Sequence, residues 1–240
     1  MNDETHADLS EDVSSDIKAR ALKGIAKTAA TSLVIIILLF ASAGSLDWTM
    51  AWVYAGLSLI AVVAVALAAG PALLAERSGV GQGAETLDVI MAIIMAWLGP
   101  VSIALVAGFD FRYGWQPEVS PVVQGAGALA AVLGYAVVLW AMASNRFFSG
   151  VVRIQTERGH AVVSHGPYAL VRHPGYAGVT LASLGAPLML GSVWALMPAV
   201  ATVGVIVVRT AHEDRTLVRD LAGYDAYARR VRYRLLPGIW

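Results

Sequence analysis

Residues 173–208 read HPGYAGVTLASLGAPLMLGSVWALMPAVATVGVIVV, a stretch without Asp, Glu, Lys or Arg. As one helix it would be roughly 54 Å long at about 1.5 Å per residue. The hydrocarbon core of a bilayer is only about 30 Å thick. Pro187 and Gly191 sit near the middle of the stretch. The pattern predicts a hairpin of two short or slightly irregular helices, with its tip near Gly191–Ser192.

Four more uncharged runs precede it: Thr28 to Leu46, Trp48 to Ala75, Val89 to Phe109 and Val119 to Asn145. Each suits one crossing, which needs about 20 apolar residues. Hydrophobic residues make up 58% of the chain and charged residues 14%, against about 25% charged in a soluble domain. The expected fold is all-α: a polytopic transmembrane bundle of about six crossings, with a loop and a C-terminal amphipathic helix on one face. The expected organisation is a polar tail and basic lead-in over 1–27, four transmembrane helices over 28–145, and a unit of polar loop, helical hairpin and C-terminal helix over 146–240.

Charge sets the orientation. With six crossings, 16 of the 17 Lys and Arg residues fall on one side, and only Arg112 falls on the other. Cytoplasmic loops carry such an excess, so both termini are expected in the cytoplasm. Trp48, Trp52 and Trp115 suit the membrane interface. Residues 1 to about 17 are acidic and polar, and composition predicts disorder there. The basic segment from Lys18 to Lys27 leads into the first crossing and lacks the small-residue cleavage site of a signal peptide. Cysteine is absent, which excludes disulfides, thiol catalysis and cysteine metal sites. The small residues from Gly125 to Gly134 predict a close helix-packing face.

Polar chemistry gathers in the loop from Asn145 to Tyr176 and the tail from Arg209 to Trp240. The hairpin between them brings its two ends together. Arg172 to Tyr176 should therefore lie beside Arg209 to Asp214. Within the loop, Ser164 to Pro167 is a turn signal, and His160 to Val163 suits an extended piece. Tyr168 to Arg172 suits one helical turn. Pro174 either ends that turn or begins the next helix, and Gly175 permits close backbone approach. The loop reads either as an interface segment anchored by Tyr and Arg or as a site. Arg209 and Glu213 share a helix face. Arg209 either snorkels with a salt bridge or grips a charged ligand. Leu217, Leu221 and Tyr224 continue an amphipathic pattern suited to the membrane surface, which Gly223 interrupts. Tyr224, Tyr227 and Tyr233 read as packing and interface residues. His160, His165, His173 and His212 lack metal-ligand spacing, so no metal is expected. Phosphate-cradling glycine motifs are absent, and no nucleic-acid partner is expected.

Gly166-Pro-Tyr168, Arg172-His-Pro-Gly-Tyr176, the apolar hairpin, Arg209 with Glu213, and the Tyr-x-x-Tyr…Arg-Leu-Leu-Pro ending carry a resemblance. Over roughly 145–240 the chain resembles the isoprenylcysteine carboxyl methyltransferase family and its bacterial relatives. The resemblance implies a bacterial inner-membrane enzyme with S-adenosylmethionine as cofactor. It implies cofactor contacts from Gln155, His160, Ala161, Val162, Val163, Tyr168, His173, Pro174, Gly175, Tyr176 and Glu213. Arg209 is implied as the substrate-binding residue, and Arg209, Glu213 and His173 as the catalytic set. A lipophilic small molecule, lipid or prenylated acceptor would reach the site from the bilayer, among membrane lipids. A carboxylate acceptor needs no general base; an amine acceptor would need His173 or Glu213 to take its proton. Two other classes fit the shared motifs: an NADPH-dependent membrane sterol or enone reductase, and a non-catalytic lipid-binding membrane protein. Gly175 stands where such reductases usually carry Asn. Nothing in the sequence selects between monomer and dimer.

Overall fold

The computed structural model describes residues 3–77, 85–115 and 117–240. Its helices are α1 (Asp3–Ala43), α2 (Thr49–Ala68), α3 (Pro71–Arg77), α4 (Thr86–Ile93), α5 (Gly99–Tyr113), α6 (Pro121–Ser144), α7 (Pro174–Met189), α8 (Leu196–Asp220) and α9 (Tyr224–Arg230). One turn of π-helix, Ile94–Leu98, joins α4 to α5 without a break. Among the described residues there is no strand, only an isolated bridge between Glu118 and Ser192.

Five segments are long and apolar enough to cross a membrane: Ser15–Ala43, Thr49–Ala68, Thr86–Tyr113, Pro121–Ser144 and Leu196–Asp220. The surface is apolar where a soluble protein would be polar. Ile60, Leu67, Leu129 and Val208 are all exposed, and so broad an apolar surface marks a membrane-facing protein.

The expected hairpin is α7 and α8. Pro174 occupies the first turn of α7, where its missing N–H costs nothing. Gly191 turns the chain at φ +76, and the Ser192 hydroxyl accepts the Ala195 N–H at 3.1 Å. At 16 residues α7 is the short arm, about 24 Å long; it is not among the five candidate spans, one fewer than the six crossings expected, and it packs along α6. Glycines make that contact intimate. A Cβ on Gly134 would lie 2.6 Å from the Gly178 carbonyl oxygen, and one on Gly127 would lie 2.4 Å from the Met189 nitrogen.

Three expectations change. The acidic N-terminal stretch is helical from Asp3 onward, where composition predicts disorder; acidic residues at a helix start complement its dipole. Met1 and Asn2 lie outside the described residues. The run from Trp48 to Ala75 is not one helix, because the chain leaves helical geometry at Ala69 and restarts at Pro71. Trp48 is buried against Phe111, with ring centroids 4.4 Å apart.

One end of the bundle gathers the site. Ala21 of α1, Leu73 and Leu74 of α3 and Met142 of α6 cluster there. The loop after α6 and the tail after α8 close over the same end. Arg153 of the loop reaches Glu76 of α3 at 2.8 Å. The tail does not lie free on a membrane surface. Leu221, Tyr224, Tyr227 and Val231 bury their apolar face against Ile154 and Val162 of the loop.

Candidate functional site

Hairpin topology brings the two polar segments together as the sequence predicts. The backbone N–H groups of Arg172 and His173 donate to the carbonyls of Tyr233 and Arg234, both at 2.9 Å. Asp214, buried on α8, is the hub of this seam. The Arg172 guanidinium meets it at 2.8 Å through Nε, and the Arg234 Nε at 2.8 Å. Tyr224 donates its hydroxyl to Asp214 Oδ1 at 3.0 Å, and His173 Nε2 lies 3.2 Å from the same oxygen. Arg172 Nη1 also donates to the carbonyls of Ala228, Val231 and Arg232. A buried carboxylate with this many donors stays ionised and holds the tail in register with the loop.

Beside this seam lies a cavity of about 320 Å³, within the size range of small-molecule sites. Its polar wall includes His160, Tyr168, His173, Tyr176, Arg209 and Glu213. Its apolar wall includes Ala92, Met95, Ala96, Val138 and Val179 from the helices of the bundle. Ala161, Val162 and Val163 face the same cavity. Among the described residues, the backbone N–H and C=O groups of these three form no hydrogen bond within the protein. Val162 and Val163 are half-buried, and such backbone groups rarely stay unpaired, so the segment is suited to a ligand with its own donor and acceptor edge.

Glu213 accepts the Tyr176 hydroxyl at 2.6 Å. Among the described residues it has no cation within salt-bridge distance, and its expected helix neighbour Arg209 turns elsewhere. Arg209 Nε donates to Asp88 Oδ1 at 2.7 Å, and Nη2 donates to Asp88 Oδ2 at 3.2 Å and to the Gly150 carbonyl at 2.7 Å. The same guanidinium lies 5.6 Å from the centre of the Tyr176 ring. The two-pronged edge expected to grip an acceptor anion is thus engaged by Asp88. The remaining nitrogen, Nη1, lies 3.8 Å from Met95 Sδ on the apolar wall.

Two expected contacts stand behind the cavity rather than on it. Gln155 is fully buried; its amide donates to the Phe147 carbonyl at 2.8 Å, and its carbonyl accepts from Arg158 Nη1 at 2.5 Å. It shapes the loop. Pro174 is buried at the start of α7 and does not line the cavity. Gly175 does line it, and a Cβ there would meet the Phe148 ring at 2.7 Å, so any side chain at 175 requires Phe148 to move. Residues 166–169 form a 3-10 turn rather than the turn expected at 168–172.

The sequence sets Arg172 beside Asp214 without giving either a ligand role, reads Tyr224 and Tyr227 as packing residues and does not single out Asp88; of these, Arg172, Tyr224 and Tyr227 line the cavity. Burial raises the Tyr168 and Tyr224 phenols and pushes Tyr227 up to about 12. At neutral pH these hydroxyls are donors. Tyr227 donates a hydrogen bond to the Tyr168 carbonyl at 2.7 Å, and the Tyr168 hydroxyl accepts one from the Asn145 amide at 3.2 Å. Burial also lowers His160, with Arg158 and Arg153 acting the same way and Glu213 opposing them. Its Nδ1 accepts the Gln155 N–H at 3.3 Å, and its ring rests on Phe147 with centroids 4.6 Å apart.

Residues 127–219 match the Isoprenylcysteine carboxyl methyltransferase (ICMT) family model. The matched span runs from α6 through the cavity loop to the end of α8. Over that span the chain is similar to this family. It is 35% identical over 65 residues to a "Probable protein-S-isoprenylcysteine O-methyltransferase" of Oryza sativa subsp. indica, covering 27% of this chain and 34% of the rice protein. It is 40% identical over 47 residues to "Protein-S-isoprenylcysteine O-methyltransferase A" of Arabidopsis thaliana, covering 20% and 24% respectively. The match to the rice relative spans about a third of that protein's length. Asp88 lies outside the part shared with the ICMT family, whereas Tyr168, His173, Tyr176, Arg209 and Glu213 lie inside it.

Proposed function

We propose that the protein is an integral membrane methyltransferase that uses S-adenosylmethionine and methylates a lipophilic acceptor, an S-isoprenylcysteine carboxylate or a lipid head group. The observation that carries this reading is one cavity with two unlike walls. Polar groups of the loop and α8 form one, and apolar side chains of the spanning helices form the other. The first suits a charged cofactor, the second an apolar acceptor tail arriving from the bilayer.

The residues present fit the cofactor. Glu213 carries a carboxylate without a cation partner among the described residues, and it would hold an ammonium or a ribose hydroxyl. His173 is fixed by Asp214 through Nε2, so its other ring nitrogen serves a carboxylate, together with backbone N–H groups. The unpaired backbone of Ala161 to Val163 would pair with adenine. The bound cofactor supplies an electrophilic methyl group on a positively charged sulfur.

The protein's own contribution is alignment and exclusion of water. A carboxylate acceptor would take the methyl group without losing a proton, so the protein would need to supply no general base. Arg209, held by Asp88, would orient the acceptor with its remaining Nη1 edge. Tyr176 holds Glu213 in place through its hydroxyl. The termini and the cavity loop would face the cytoplasm, as the charge asymmetry indicates.

The test is isothermal titration of purified protein with S-adenosylhomocysteine and with NADPH. We expect binding of the first only, weakened at least tenfold by Glu213→Gln and by His173→Ala, with folding retained. NADPH binding, or both variants binding like the unaltered protein, would overturn the reading. Labelled methyl donor and an S-farnesylated cysteine derivative would then test the acceptor class.

A further inference from the structure

The end of the bundle opposite the candidate site holds a second cavity, of about 520 Å³. Asp47, Asp110 and Glu118 line it with Trp48, Phe111 and Trp115, and among the described residues no Lys or Arg does. Asp110 stands in the last turn of α5, just before the left-handed cap at Gly114. It is 6% exposed. Among the described residues its carboxylate takes part in no hydrogen bond and no ion pair. Arg112, two residues on, turns away: its guanidinium packs against Gly44 and lies 5.6 Å from the Tyr113 ring centre.

Three effects oppose a charge at Asp110. Burial strips water from the carboxylate. A helix C-terminus carries partial negative charge and disfavours an anion. Asp47 lines the same cavity with like charge. A cation in the cavity relieves all three at once. The aromatic wall indicates which kind. Trp48 and Phe111 stack with ring planes 14° apart, and Trp115 borders the cavity beside them. Aromatic faces attract ammonium groups. No three carboxylate or imidazole groups converge to hold a metal ion among the described residues.

We propose that this cavity binds an alkylammonium group, with Asp110 as its counter-ion and Trp48, Phe111 and Trp115 as its apolar wall. The ammonium is carried either by a membrane lipid head group or by a free amine. The site is separate from the methyl-transfer cavity and does not depend on that reading.

The test is thermal unfolding of the full chain in detergent. One arm adds ethanolamine hydrochloride against sodium chloride at equal ionic strength. The other adds phosphatidylethanolamine against phosphatidylglycerol in mixed micelles. A ligand that binds only the folded state raises the midpoint. We expect an amine-specific rise that Asp110→Asn abolishes, with the Asn variant at least as stable as the parent when no amine is present. A rise only with the phospholipid assigns the site to a lipid head group, and a rise with ethanolamine assigns it to a free amine. Trp115→Leu, which leaves Asp110 in place, should weaken the response several-fold and serves if the Asn variant does not fold. No amine-specific rise in either arm, or a full rise in Asp110→Asn, would overturn the proposal.

Discussion

Asp88 and Arg209 lie 121 positions apart in the chain and are joined by two parallel hydrogen bonds, at 2.7 Å and 3.2 Å. Asp88 has no exposed surface, and its second oxygen also accepts the Val152 N–H at 2.7 Å. One carboxylate thus ties α4, α8 and the cavity loop together. Removing one partner of a buried pair strands the other charge, at a cost of about 3–5 kcal/mol. We expect Asp88→Ala to lower stability by about that much, and Asp88→Leu combined with Arg209→Met to recover most of the loss. A double-mutant cycle by denaturation in detergent reads the coupling.

The same pair bears on turnover. Lysine has one ammonium and cannot meet both Asp88 oxygens and the Gly150 carbonyl with the fixed fork of a guanidinium. We expect Arg209→Lys to slow methyl transfer by roughly ten- to a hundredfold, as one lost charged contact of about 1.5–3 kcal/mol implies. Donor affinity should change by less than about threefold on the same grounds. Paired turnover and S-adenosylhomocysteine titrations on one preparation decide it. Full activity in the Lys variant would show that the fork is dispensable.

His160 gives the site a pH dependence with a definite sign. Burial holds its pKa below the ordinary value for imidazole, about 6.5. The unfolded chain therefore binds the proton more readily than the folded one, and stability rises with pH through that window. Above the ordinary value the contribution is fully present; below it, protonation removes the acceptor at Nδ1 and the loop loosens. S-adenosylhomocysteine affinity and the unfolding midpoint should both fall as pH drops below about 6.5. His160→Gln should flatten that part of both profiles.

The α6–α7 seam leaves no room for side chains. A Cβ on Gly178 would lie 2.5 Å from the Gly134 carbonyl oxygen. Gly178→Val must push the backbones apart, and overpacking of this kind costs about 1–3 kcal/mol or more. Gly204, where a Cβ meets nothing within 4 Å, is the control: Gly204→Ala should fold normally. Yield of monodisperse protein after solubilisation is the measurement.

Reporter fusions test the orientation that charge alone suggests. Fusions after Arg158 and after Trp240 should report the same, cytoplasmic side, and a fusion between Asp110 and Trp115 the other. Opposite readings at Arg158 and Trp240 would break the hairpin assignment.

The fold was legible because a membrane writes its thickness into the sequence. Uncharged runs marked the spanning segments, and Gly191 marked the turn between α7 and α8. The meeting of Tyr176 with Glu213 followed from that hairpin without any knowledge of side-chain geometry. Asp88 was not legible. It is a single acidic residue at the edge of an apolar run, and only the assembled bundle shows that Arg209 lies opposite. The same hairpin set Asp214 beside Arg172, but not its second cation: Arg234 comes from the tail beyond α9, and no local spacing links it to Asp214. Tyr224 and Tyr227 looked like interface anchors because a hydrophobic helix face has the same pattern whether it meets lipid or a folded loop.

The π-turn at Ile94–Leu98 has a consequence for length variation. Such a turn holds one residue more than the α-helix it interrupts. Deleting a single residue between Ile94 and Leu98 would restore regular winding, and each residue of an α-helix advances by about 100°. The half of the helix below, anchored where Gly99 packs against Thr202, would keep its facing. The half above would swing by about that angle, carrying Asp88 away from α8 and leaving the Arg209 guanidinium without its partner. A one-residue gap here is therefore a change of phase. It would disable the site while leaving the hydropathy profile nearly unchanged.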